Sequence, residues 1–165
     1  MNELSDFTKF LTDEELAKVA PMLERLKTLD ERTEKHDNFM SFVRHVWPQF
    51  IEGRHHKIYA QKLQDVADGK LKRLIVNMPP RHTKSEFASY LFPTWLMGRK
   101  PDLKIIQATH TAELAVGFGR KVKNLIDSED FRDVFPSVSL ASDAKASGRW
   151  STNSGGEYYA VGVGG

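Results

Sequence analysis

The sequence predicts an α/β fold with a parallel sheet core and a helical N-terminal arm. Three observations predict it. Apolar residues recur at helical spacing through the first 68 positions, two short apolar runs at 74–78 and 104–108 then break that period, and a helix-like stretch separates the two runs. A strand, a helix and a strand in about 35 residues make one βαβ unit, whose crossover should be right-handed and whose sheet should be parallel.

Taken in order, Thr12-x-x-Glu15 forms a capping box, and Leu16, Val19, Leu23 and Leu26 continue a helix from it. Pro21 falls inside, which predicts a kink or two shorter helices. The charged run from Asp30 to Asp37 reads as a hinge or an exposed helix end, so residues 1–38 form an arm and residues 39–165 the main domain. The arm's apolar seam has two readings, packing on its own domain or binding a partner.

Phe39, Phe42, Val43 and Val46 mark a short helix stopped by Trp47-Pro48. A third helix is expected from about His55 to Asp68, with Ile58, Tyr59, Leu63, Val66 and Ala67 inward and Gly69 at the C′ position. Leu74 to Met78 has the character of a strand buried on both faces. After the Pro79-Pro80 turn, residues 84–97 read as a helix made irregular by Pro93, and Lys104 to Ala108 as the second strand. A helix at about 111–126 would turn Leu114, Phe118, Val122 and Leu125 inward. Trp150 and Tyr158 to Val161 suggest a hairpin turned at Asn153 to Gly156.

Composition narrows the function classes. There is no cysteine among the 165 residues, which excludes disulfides, a thiolate nucleophile and Cys-based zinc sites. No apolar stretch approaches the ~18 residues of a bilayer span, and the N-terminal segment lacks the apolar core of a secretory signal. The net charge of +2 is unevenly distributed: residues 39–125 hold 15 Lys/Arg against 6 Asp/Glu, or +9. Such a segment attracts a polyanion, although a basic face is also commonly plain solvated surface.

The segment LIVNMPPRHTKSEF, residues 74–87, carries the chemistry. A buried strand delivers a short turn, then Lys84-Ser85, then a helix, which is the layout of a phosphate-binding loop. Backbone N–H groups at the helix start and the macrodipole favour an anion there, the lysine adds a full charge, and the serine hydroxyl suits Mg²⁺. Against G-x-x-x-x-G-K-[ST], Lys84 and Ser85 match while Met78 and Thr83 stand where the glycines would. If the loop requires positive φ at Thr83, a β-branched residue there costs on the order of 1–3 kcal/mol. The pattern alone is equally satisfied by a Pro-Pro turn with a surface lysine.

The segment MPPRHTKSE, with HHKIYAQKLQDVADGKLKRLIVN before it and IIQATHTAELAVGFGRKVKNLI after it, resembles the ATPase domain of tailed-bacteriophage terminase large subunits. Their phosphate loop commonly reads PPRHGKS. The resemblance runs over about residues 39–165, through Val134-Phe135-Pro136 to Gly155-Gly156-x-Tyr158 and Gly162-x-Gly164-Gly165. It implies a RecA-like P-loop ATPase of the Walker A type that drives double-stranded DNA into a procapsid. By resemblance, Lys84 would hold the β/γ-phosphates of ATP, Ser85 the Mg²⁺, and the N–H groups of Arg81, His82, Thr83, Lys84 and Ser85 the phosphate cradle. Arg81 would contact phosphate or reach a neighbouring subunit's nucleotide in a ring.

Trp47, His55, His56 and Gln61 lie where related motors place the residues that touch adenine. The alternatives are a core tryptophan and helix-cap histidines. Zinc is argued against, since no H-E-x-x-H occurs and adjacent helical histidines diverge. Thr109 and His110 follow the second strand, where nucleotide or DNA would be sensed, with N-capping by Thr109 the plainer role. The resemblance further implies a small terminase subunit and a portal protein as partners, and the cytoplasm of an infected bacterial host as the location. It also implies that an acidic strand and a metal-dependent nuclease domain follow, so an incomplete ATPase domain with no hydrolysis of its own is expected. The alternatives are a fragment of another RecA-like motor such as a helicase, and a non-catalytic basic DNA-binding module.

Overall fold

The computed structural model describes residues 12–144 and 146–163. The first eleven residues of the expected arm, and Gly164 and Gly165 of the glycine-rich stretch, lie outside the described residues. The described residues fall into two compact units that divide between Thr33 and Glu34. It is a mixed α/β protein with a small three-stranded sheet.

Helix α1 (Asp13–Asp37) starts at the expected capping box: Glu15 N–H donates to Thr12 Oγ1, and Thr12 N–H donates to the Glu15 carboxylate at 3.0 Å. Pro21 lies within this one helix, not between two. Helix α2 (Phe39–Val46) is capped by Asn38, whose side chain accepts from Ser41 N–H, and ends at Trp47. Gln64 ties the start of α2 to helix α3 (Arg54–Ala67), accepting from Phe39 N–H and donating to Asp37 C=O. The buried face of α3 is His56, Tyr59, Ala60, Leu63 and Ala67; Ile58, expected inward, is exposed.

The expected strand at Leu74–Met78 is the main correction. This run lies outside every helix and strand: Leu74, Val76 and Met78 are half-buried and Ile75 and Asn77 exposed, and it joins no ladder among the described residues. A strand needs a hydrogen-bonding neighbour, and the neighbour of the second expected strand is elsewhere in the chain. Strand β1 (Lys104–Thr109) pairs in parallel with β3 (Glu157–Gly162), which pairs antiparallel with β2 (Arg149–Ser151), in the order β1-β3-β2. The sheet is therefore mixed, not purely parallel. The expected hairpin turn at 153–156 does join β2 to β3. Gly156 is required there, because a Cβ would collide with the carbonyl oxygens of Pro101 and Leu103.

The helix after the Pro-Pro turn runs without a break from Lys84 to Arg99 in three parts: α4 (Lys84–Glu86), a π-helical turn (Phe87–Leu91) and α5 (Phe92–Arg99). Pro93 supplies the reason: it has no N–H for the carbonyl one turn earlier and its ring crowds that carbonyl, so the helix widens just before it. Helix α6 (Ala112–Ile126) packs on β1 and β3. Its buried side is Ala115, Gly119, Val122, Leu125 and Ile126, whereas Leu114 is exposed. Thr111, not Thr109, is its N-cap, accepting from Leu114 N–H; the Thr109 hydroxyl donates to Thr111 C=O. A short helix α7 (Glu129–Val134) follows, capped by Ser128.

An aromatic cluster forms the core beneath the loop. Phe39 meets Phe87 and Phe92 edge-on and Trp95 at 5.3 Å, and all four are buried or packed against the core. Phe87, fully buried, also touches Phe50, His56 and Tyr59, so the first π-helical residue joins core and loop.

Candidate functional site

Residues Met78 to Glu86 line a cavity of about 550 Å³. Two residues of the turn, Arg81 (φ 63°) and Thr83 (φ 57°), are left-handed without being glycine, while His82 between them is not. Alternating handedness of this kind curls consecutive N–H groups towards one side, as in anion-binding nests. The left-handed Thr83 stands at the N-cap of α4, so the chain passes from the turn directly into the helix. Sequence reasoning thus located the turn, the helix start and the conditional strain at Thr83.

Lys84 is half-buried and its Nζ donates to Met78 C=O at 3.3 Å, so the ammonium lies back across the loop. Ser85 and Arg81 are exposed at the same cavity, and the His82 ring is hydrogen-bonded at Nδ1 to Pro80 C=O, 2.9 Å. Lys84 also lines a second cavity, of about 490 Å³, together with Tyr59, Leu63, Val76 and Phe92.

The residues expected near adenine divide. His55 and His56 reach the loop: the two rings lie 3.8 Å apart, and His55 is 5.7 Å from the ring of His82. His56 is buried and engaged with Thr83, its Nε2 2.7 Å from Thr83 Oγ1. Trp47 is half-buried and packs on Phe50, favouring the core role. Gln61 opens on a different cavity with Asn38, Arg44 and Glu52, and donates to Asp65.

Two contacts were not anticipated. Tyr59 donates to Lys84 C=O at 3.3 Å, and burial raises its phenol to about 12, which keeps it a donor. Lys121 binds Glu86 at 2.8 Å and sits within 6 Å of the Tyr90 and Phe118 rings. Glu86 is the one acid lining the loop cavity among the described residues, and with Lys121 its carboxylate already has a cation. Asp127 pairs with Arg132 at 2.6 Å, and Glu157 opens β3 at the end opposite the strand's carboxyl terminus, paired with Lys104 at 3.1 Å. Among the described residues no group of three His, Asp or Glu is placed to hold a metal ion, and no helix is long and apolar enough to cross a membrane.

His56 carries a pH dependence. Its Nδ1 accepts from Gly53 N–H at 2.9 Å, which requires an unprotonated Nδ1. Burial lowers the affinity of His56 for a proton, the charges of His55 and His82 lower it further, and Glu52 opposes them. As pH falls the unfolded chain takes up the proton first, so stability is highest above the ordinary histidine value and declines as pH drops from there towards the depressed folded value. Urea midpoints at about pH 7.5 and 5.5 should fall more in the parent than in His56→Phe; equal falls would assign the dependence to other histidines.

The chain matches no family model, and no curated protein or solved structure matches it.

Proposed function

We propose that this chain is the ATP-binding portion of a terminase large subunit, the motor that packages double-stranded DNA into a phage procapsid. In this reading residues 39–165 belong to a RecA-like phosphate-loop core, joined in the assembled machine by a small subunit, a portal protein and further copies in a ring in the host cytoplasm. The observation that carries the reading is the cavity lined by Met78 to Glu86, where a doubly left-handed turn enters a helix at Lys84-Ser85. Backbone N–H groups and the ammonium of Lys84 suit the phosphates, and the exposed hydroxyl of Ser85 would hold the Mg²⁺ that accompanies them.

Lys84 changes partner on binding, leaving Met78 C=O for the outer phosphates. Tyr59 keeps the helix start in place through Lys84 C=O. His55, exposed beside the loop, is the adenine-side candidate that the geometry favours. Arg54, Lys72, Arg73 and Arg81, all exposed, supply part of the +9 with which duplex phosphates would be gripped.

Isothermal titration with Mg·ATP tests this reading: saturable binding supports it, and heats equal to buffer dilution oppose it. Turnover is expected to be no faster than in a Lys84→Ala control, because Glu86, the acid that lines the cavity among the described residues, is paired with Lys121. Steady hydrolysis abolished by Lys84→Ala would show that an acid of this chain does activate water. Duplex binding should be insensitive to sequence and weaken steeply between about 50 and 200 mM salt. Salt-independent affinity would return the basic segment to plain surface.

A further inference from the structure

We propose that His56 is a positioning residue for the phosphate loop, holding the β-branched Thr83 in a left-handed conformation that glycine would adopt unaided. The proposal rests on the reading of residues 81–85 as a phosphate cradle and adds to it a partner 27 residues away in sequence.

The geometry is a directed chain of hydrogen bonds. Gly53 N–H donates to His56 Nδ1 at 2.9 Å, which leaves the proton on Nε2. His56 Nε2–H then donates to Thr83 Oγ1 at 2.7 Å, and the Thr83 hydroxyl donates onward to His82 C=O at 2.7 Å. The His56 ring and the Thr83 hydroxyl each accept one hydrogen bond and donate one, between a pure donor, Gly53 N–H, and a pure acceptor, His82 C=O. The ring cannot easily turn away: His56 is 6% exposed, edge-on to Phe50 at 4.7 Å and stacked on Phe87 at 5.5 Å. The ring is anchored on helix α3, so the restraint on the loop comes from a rigid element.

A β-branched residue with φ 57° is a rare conformer. It persists only where its surroundings over-determine it, and strain of this kind collects at ligand-binding loops. The Thr83 hydroxyl is held by His56 and His82, so it is not presented to a ligand as a first contact. Its part is to give His56 something to hold. Glycine at the same position would adopt positive φ unaided and would make the histidine dispensable.

That interchange is the test. Mg·ATP affinity is measured for the parent, His56→Ala, Thr83→Gly and the double variant, with circular dichroism confirming each fold. His56→Ala should weaken binding roughly 3- to 10-fold, the value of one hydrogen bond. Thr83→Gly keeps the backbone N–H of the cradle and serves as the reference for its own background, on which His56→Ala should change affinity less than about twofold. The same loss in both backgrounds would mean that His56 acts on the nucleotide or on global stability, and no loss in either would mean that the bond is idle; both outcomes overturn the proposal. Should the parent bind no ATP, the nucleotide reading fails by itself. The ¹³C shifts of Thr83 Cα and Cβ, which report the sign of φ, still decide the positioning role. They should leave the left-handed range in His56→Ala and be recovered by His56→Gln, whereas an unchanged Thr83 in His56→Ala would overturn it.

Discussion

Lys84→Ala should lower Mg·ATP affinity about 10- to 150-fold with an unchanged circular dichroism spectrum. The ammonium would make a charge-assisted hydrogen bond to phosphate, worth ~1.5–3 kcal/mol, against which stands one bond of 3.3 Å to the Met78 carbonyl. Titration calorimetry on both proteins gives the ratio. Equal affinities would assign Lys84 to the surface of a Pro-Pro turn.

Phe87→Ala should cost about 3–5 kcal/mol of folding stability, a large part of what a domain of this size possesses. Phe87 has no exposed surface and meets Phe39, Phe50, His56 and Tyr59. Removing it opens a cavity between α2, α3 and the π-helical turn, and withdraws one face of the sandwich that holds the His56 ring. Phe87→Leu keeps most of the volume and should cost roughly 1–2 kcal/mol. Urea denaturation of the three proteins measures both. Costs of a few tenths of a kcal/mol would show that the aromatic cluster is more compliant than its packing implies.

The helices were legible because their evidence is local. Capping residues at Thr12, apolar spacing from Phe39 and the halt at Trp47 each act within one turn, and the elements start and stop close to the expected positions. The inner face of α6 was legible only in its second half: Val122 and Leu125 are buried as expected, but the first half is lined by Ala115 and Gly119, and at Gly119 a Cβ would lie 2.6 Å from Ser147 C=O. Small residues that permit close approach carry no hydrophobic signal, so a count of large apolar residues turned the helix towards Leu114. Leu74–Met78 failed as a strand for another reason. Its composition describes what an extended segment can bury, while a ladder depends on a partner distant in sequence, and β1 found that partner in β3.

The site divides along the same line. Lys84 and Ser85 were identified as neighbours of a helix start, and the place of glycine in the motif raised positive φ at Thr83 as a condition, which the backbone meets. The hydrogen bond from His56 was not identified, although a signal existed. A threonine where glycine is expected needs a group to hold it, and a histidine three residues beyond Gly53, on the buried side of α3, is such a group.

The most direct measurement is a ¹H–¹⁵N spectrum of the chain titrated with Mg·ATP. Phosphate held in the cavity of Met78 to Glu86 should move the amide resonances of Arg81, His82, Thr83, Lys84 and Ser85 furthest and together, and Lys84→Ala should suppress the shifts. Resonances of the loop that stay in place while those around Asn38, Arg44 and Gln61 move, or a spectrum that does not respond to nucleotide, would contradict the assignment of this loop to phosphate.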